Sequence, residues 1–175
     1  MGDATAPDAG TADRDTTVSR AVEDYLTRLD IPFVAHAHPP VATVAEAEQY
    51  WAHIDAVHAK NLFLRNAKGN RHFLVVLAHD RRADLAALAL AYGEAKLGFA
   101  SPERLLTYLG LTPGAVSPFG LINDRGKEVR VAIDYALKDA ATVAFHPNVN
   151  TATLVLSGKD FQRFLAATGH DVRWI

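Results

Sequence analysis

Lys60-Asn61 stands directly before the apolar run Leu62-Phe63-Leu64. An ammonium beside an amide at the opening of an apolar strand suits a phosphate or a carbonyl held at a sheet end. A second segment, Gly114-Ala115-Val116-Ser117-Pro118-Phe119-Gly120, brackets small residues with two glycines and a proline. Such a backbone is shaped, and its N–H groups can face a ligand. The third, His146-Pro147-Asn148-Val149-Asn150, is a polar loop that feeds the run Thr151-Ala152-Thr153. A His and two Asn there offer donors and acceptors for which folding has little use. Each segment also has an ordinary reading: a solvated strand start, a connection after a helix, and threonines packed in a strand.

Other chemistries are excluded more sharply. The chain has no Cys, which removes thiolate nucleophiles, disulfides, zinc ribbons and iron–sulfur clusters together. Its serines are Ser19, Ser101, Ser117 and Ser157, and none lies in a G-x-S-x-G elbow. His36-x-His38 and the pair His53 and His58 lack the H-E-x-x-H arrangement and a carboxylate at ligand spacing, so no metal is expected. No phosphate-binding glycine loop is present, and no organic cofactor is expected.

Charge narrows the partners. The formal net charge is −2. Residues 1–16 hold four Asp and one Arg, so the remaining chain carries 17 basic and 16 acidic residues, a net of +1. A near-neutral body does not coat nucleic acid, so DNA binding is disfavoured and an RNA contact would be local. Arg81-Arg82, or Arg125, Lys127 and Arg130, could form such a patch. No apolar run approaches the ~20 residues of a membrane span, and the acidic N-terminus does not read as a signal or transit peptide. A cytoplasmic protein with no membrane partner is expected.

The elements that must position these segments read as follows. Residues 1–16 lack periodicity and are expected to form a disordered acidic tail, leaving residues 17–175 as one domain. Val18, Val22, Tyr25, Leu26 and Leu29 form one helical stripe that ends at Asp30-Ile31-Pro32. Phe33–Ala37 is a strand candidate, and Thr43-Val44-Ala45-Glu46 matches a capping box for a helix toward Trp51. Asn61–Asn66 and His72–Ala78 predict a hairpin turning on Gly69, followed by a helix over Asp84–Ala91. Ser101-Pro102 caps a helix that stops at Gly110, and Thr112-Pro113-Gly114 predicts a type II turn. Val129–Ile133, Thr142–Phe145 and Thr151–Leu156 are further strands, and Ser157 caps a last helix ending before Gly169. About six strands among about five helices, joined by hairpins as well as crossovers, make a mixed α/β domain.

In chain order, KNLFL, LVVLAHDRRADL, the G-x-x-x-P loop of GAVSPFGL and HPNVNTATLVLS resemble the YbaK/ProX family of aminoacyl-tRNA editing proteins. The nearest branch is the free-standing prolyl-tRNA editing one, and the likeness runs from about Val18 to Gly169. It implies a strongly curved, barrel-like mixed sheet and hydrolysis of alanine wrongly attached to proline tRNA. It assigns Lys60 and Asn61 to the family's motif lysine and its polar neighbour, and His146 to the loop histidine. Gly114 and Pro118 become the ends of the G-x-x-x-P motif, and Thr43 and Val44 fall where the family lines its amino-acid pocket. Cysteine-removing members usually show Lys-Thr where this chain has Lys60-Asn61, which favours the alanine branch. The implied partners are the acceptor end of proline tRNA and prolyl-tRNA synthetase.

The residues allow such chemistry on their own terms. An aminoacyl ester is already activated, so a placed water and charge stabilisation suffice. Lys60 is expected at the terminal phosphate or ester as a fixed positive charge. The resemblance implies substrate assistance, in which the RNA's own 2′- or 3′-hydroxyl, helped by Asn61 or His146, positions the water. The N–H groups of Gly114, Ala115, Val116 and Ser117 are expected around the carbonyl. Two readings compete: a deacylase of the same family for Cys- or Ser-charged tRNA, and a non-catalytic module that binds tRNA or a synthetase.

Overall fold

A computed structural model describes residues 9–41 and 49–175. The first helix, α1, spans Ala9–Arg28 and buries Val22 and Leu26 completely. It begins earlier than the apolar stripe requires, so residues 9–16, assigned to the tail from composition, are helical. Once a stripe has nucleated a helix, each added Ala, Thr or Asp needs only propagation, and no proline interrupts the chain between Pro7 and the end of α1. Residues 1–8 and the capping box at Thr43 lie outside the described residues.

The strands are β1 (Val34–Ala37), β2 (Val57–Asn66), β3 (His72–Ala78), β4 (Leu97–Phe99), β5 (Val129–Ile133), β6 (Thr142–Phe145), β7 (Ala152–Ser157) and β8 (Val172–Trp174). Between them lie α2 (Leu85–Ala91), α3 (Pro102–Leu109), α4 (Tyr135–Lys138) and α5 (Gly158–Thr168), with a 3-10 helix over Pro118–Ile122. The expected caps are in place. Ser101 and Ser157 accept hydrogen bonds from the N–H groups of Arg104 and Asp160, and Gly110 and Gly169 end their helices at φ of 67° and 70°.

The strand order is β1-β7-β6-β2-β3-β5-β8, with β4 also paired to β2. Parallel ladders join β2 to β6, β3 to β5 and β5 to β8, and the others are antiparallel, so the sheet is mixed. It is open, with β1 and β8 at its ends. Every residue of β3 is buried because apolar layers cover both of its faces. Leu74 and Val76 join one cluster with Phe119, Phe145, Phe161 and Phe164, while Phe73, Val75 and Leu77 join a second with Leu64 and Leu88. The two-residue period of a strand sorts neighbours between these layers.

β2 changes partners along its length. Ala59–Arg65 pair with β3 on one side. On the other side Val57 and His58 pair with β6, and Leu64–Asn66 pair with β4. Between those two ladders, residues 59–63 have no strand beside them on that edge. The sheet is therefore split at Lys60-Asn61-Leu62, where that edge of β2 is left without a neighbouring strand.

Candidate functional site

Lys60 and Asn61 do not open a strand, as the apolar run alone led one to expect. β2 begins at Val57, so they sit within it, opposite Leu77 and Val76. The reason is tertiary: Val57-His58-Ala59 has no distinctive alternation and is held extended by β6 and β3. One consequence is decisive for the chemistry. Adjacent strand residues point to opposite faces, so Lys60 shares the face of Leu62 and Leu64, and Asn61 shares that of Phe63. Lys60 is half-buried, and its ammonium has no hydrogen bond or ion pair among the described residues.

Asn61 turns toward the glycine loop. Its Nδ2–H donates to the Val116 carbonyl across 2.9 Å. A carbonyl can only accept, so this contact fixes which end of the amide is nitrogen. Oδ1 is left buried and without a partner among the described residues. A buried amide oxygen unpaired in the resting protein is an acceptor waiting for a donor, since such groups are rarely left orphaned.

The loop itself is built by the expected turn. Ala115 N–H donates to Thr112 C=O across 3.1 Å, and Gly114 takes φ of 85°, the third position of a type II turn. That bond also removes the Ala115 N–H from the donors expected at the substrate. The N–H groups of Gly114, Val116 and Ser117 have no partner among the described residues. Ser117 is fully buried, and its Oγ accepts from Phe119 N–H to cap the 3-10 helix that Pro118 opens. It is a structural cap, unavailable as a nucleophile.

Asn61, Leu62, Phe99, Pro102, Gly114 and Val116 share a cleft of about 350 Å³ at the split edge of β2. Ala115, between Gly114 and Val116 in the loop, is buried and does not line it. Lys60 and His146 do not line this cleft. They lie beside the same gap on one row: the parallel pair His58 and Ala144 is the last rung between β2 and β6, and each residue stands two positions further on. The third segment reaches the glycine loop through Asn150. A Cβ on Gly114 would lie 3.7 Å from Asn150 Nδ2, which donates to Val41 C=O. Thr43 and Val44 lie outside the described residues.

His146 is mostly buried, and burial is the main cause that lowers its pKa from the ordinary value. The Ala152 carbonyl opposes the shift and nearby His38 adds to it. Nδ1 lies 2.8 Å from that carbonyl, so Nδ1 carries the proton and Nε2 presents a lone pair. His38 is set likewise, with Nδ1 against Pro39 C=O and Nε2 against Thr153 Oγ1. Its ring lies 5.7 Å from that of His146.

Sequence reasoning passed over Phe99 and gave Asn150 no specific place in the site. Phe99 sits in a three-residue strand, too short for any periodicity to show. Asn150 was visible as a loop amide, but its approach to Gly114 comes from chain folding. Of the basic candidates, Arg81 is committed elsewhere: it pairs with Asp134 at 2.7 Å and with the Ile175 carbonyl. Among the described residues there is no group of three His, Asp or Glu suited to a metal ion, and no helix long and apolar enough to cross a membrane.

Comparison with known proteins identifies the family. Residues 38–164 match the family profile described as aminoacyl-tRNA editing domain. The chain is 44% identical over 162 residues to the prolyl-tRNA editing protein ProX of Acetoanaerobium sticklandii, covering 92% of this chain and 98% of that one. It is 38% identical over 151 residues to prolyl-tRNA synthetase associated domain-containing protein 1 of Xenopus laevis, covering 84% and 89%. A solved structure described as a candidate trans-editing enzyme for prolyl tRNA synthetase shares the fold at a TM-score of 0.67 and 23% identity, over 89% of this chain and 94% of that one. With the motif segments gathered at one split in the sheet and the match spanning most of the sequence, the chain belongs to the aminoacyl-tRNA editing domain family.

Proposed function

We propose that this protein is a trans-editing deacylase that hydrolyses the ester of Ala-tRNA(Pro). The observation that carries the reading is the Asn61 amide, pinned to Val116 with a buried acceptor left over, beside loop N–H groups, both without a partner among the described residues. An ester carbonyl with an α-ammonium needs such a pairing of acceptor and donors. The kinship with a prolyl-tRNA editing protein supports the choice of RNA.

In the reaction a water oxygen bonds to the ester carbonyl carbon. The bond from that carbon to the ribose oxygen breaks, and that oxygen takes a proton, releasing alanine and uncharged RNA. The N–H groups of Gly114, Val116 and Ser117 stabilise the oxygen as charge develops on it. Single donors of this kind are worth about 3–4 kcal/mol in other enzymes. Asn61 Oδ1 accepts from the α-ammonium or the water, and the neutral His146 orients the water through Nε2. The vicinal ribose hydroxyl assists, so no protein nucleophile is needed. Lys60 supplies a fixed positive charge for the terminal phosphate.

Selectivity follows from size. A synthetase site that accepts proline rejects the smaller alanine weakly, since a missing methylene is worth about 1–3 kcal/mol. A second pocket too small for proline removes alanine and spares the correct product. Val116 in the cleft wall supports that reading, and the adjacent Ala115 is small and buried. Thr43 and Val44 are assigned to the same pocket by the family likeness.

The test is a deacylation panel on proline tRNA charged with Ala, Ser, Cys or Pro. Alanine should be released fastest and proline spared, and Lys60→Ala should abolish release while folding is retained. Faster release of Cys or Ser would move the protein to a sibling specificity. No release of any amino acid would leave a binding module for the acceptor end or for prolyl-tRNA synthetase.

A further inference from the structure

Phe99 ends β4 and is 66% exposed, although it lines the same cleft as Asn61, Gly114 and Val116. A single exposed apolar residue is ordinary. This one stands at the mouth of a site, and two features narrow what would cover it. The end of the cleft around Phe99, with Leu62 and Pro102, carries no charged side chain to pair with a phosphate. The second feature is register. Phe99 lies opposite Leu64 in the antiparallel ladder, and directly opposed residues share a face. Lys60, Leu62 and Leu64 occupy that face by alternation, so the ring and the ammonium stand on one side of β2. Lys60 and Leu64 are about 13 Å apart along the strand at its usual rise.

A flat apolar π surface, a cation further along the same face and an amide at the edge between them match the parts of one nucleotide. These are its base, its phosphate and the sugar oxygen that bears the ester. We infer that Phe99 is the shelf on which the terminal nucleobase of the charged RNA stacks while Lys60 meets the phosphate of that nucleotide. This deepens the deacylase reading and rests on it for the identity of the ligand. The 3′ end of an acceptor stem is single-stranded, so its base is free to stack on an aromatic side chain. Stacking tolerates any base, so the shelf positions the ester without reading sequence.

The experiment uses an uncharged acceptor-stem RNA hairpin with 2-aminopurine as its terminal 3′ base. Binding to the wild-type protein should quench the fluorophore. Phe99→Ala should remove the quench and raise Kd about tenfold or more. Phe99→Leu, which keeps apolar volume on β4 but lacks the ring, should lose the quench too, and Phe99→Trp should keep it. Leu106→Ala serves as the control, because Leu106 is 57% exposed on α3 and lies outside the cleft lining. It should change neither reading. In steady-state deacylation Phe99→Ala should raise KM and leave kcat nearly unchanged, as loss of uniform binding does.

A Phe99→Ala or Phe99→Leu protein that quenches and binds like wild type overturns the shelf, even while deacylation continues. Sedimentation that turns a wild-type dimer into a Phe99→Ala monomer also overturns it, since the ring would then be a subunit contact. A wild type that quenches the probe but releases no amino acid from any charged RNA keeps the shelf and sinks the deacylase reading.

Discussion

Replacing Asn61 by Asp preserves the shape of the side chain and reverses one hydrogen bond. The Nδ2–H that donates to Val116 C=O at 2.9 Å becomes an oxygen. An ionised carboxylate has only acceptors, so two oxygens would face each other at that separation. The Val116 carbonyl loses its partner in a half-buried site, which costs about 1–3 kcal/mol. For a chain of this size each kcal/mol lowers the melting temperature by about 2–4 °C, giving a drop of about 2–12 °C. The catalytic loss should be larger than the stability loss. The oxygens part by moving the loop, and the loop carries the N–H donors; a displacement of about 1 Å at reacting groups can cost about a hundredfold in rate. Asn61→Asp should therefore lower kcat/KM about a hundredfold. The assay is single-turnover release of labelled alanine from charged proline tRNA, run beside thermal melts. Wild-type kcat/KM with a wild-type melting temperature would show that this bond does not hold the loop. A lowered melting temperature with unchanged kcat/KM would show that the loop donors take no part in hydrolysis.

Gly114→Ala tests the same loop through its backbone. At φ of 85° an L side chain is strained by about 1–2 kcal/mol, while the nearest neighbour, Asn150 Nδ2 at 3.7 Å, leaves room for the methyl. Circular-dichroism melts should show a loss of about 2–8 °C, and deacylation should fall further than Ala115→Gly makes it fall. Val116→Ala widens the cleft wall by two methyl groups. The ratio of kcat/KM for Ala- over Pro-charged tRNA should drop about tenfold or more, and an unchanged ratio would remove Val116 from the selectivity filter. His146 has a folded pKa below its ordinary value of 6.5, mainly through burial. Between the two values the unfolded chain binds more protons, so this contribution to stability is full above pH 6.5 and is lost as pH falls through the folded value. Chemical denaturation between pH 7.5 and 5 should show stability falling on acidification, and His146→Gln should flatten the curve. Because His58 and His72 are shifted the same way, some slope should remain.

What one residue's neighbours in sequence decide was legible in advance. The Ser101 and Ser157 caps, the left-handed glycines at positions 110 and 169, the hairpin on Gly69 and the type II turn at Gly114 each depend on a few contiguous residues. So does the composition argument, because a chain without Cys cannot build thiolate chemistry in any fold. The stripe of α1 was visible for the same reason, although its start was not: propagation from a stable core of helix does not need an apolar signal of its own.

The arrangement of the site came from pairing between distant segments. β4 and β8 are three residues each, too short to carry a period, and they exist because β2 and β5 offer edges to them. Val57-His58-Ala59 is extended because β6 and β3 hold it, and that moved Lys60-Asn61 from a strand opening into a strand. Once there, alternation had to send the ammonium and the amide to opposite faces. The gap between the β6 and β4 ladders leaves both residues on one unpaired stretch of the β2 edge. The residues specify which groups are available and how the chain turns locally, whereas hydrogen bonds between strands far apart in sequence decide which way each group points.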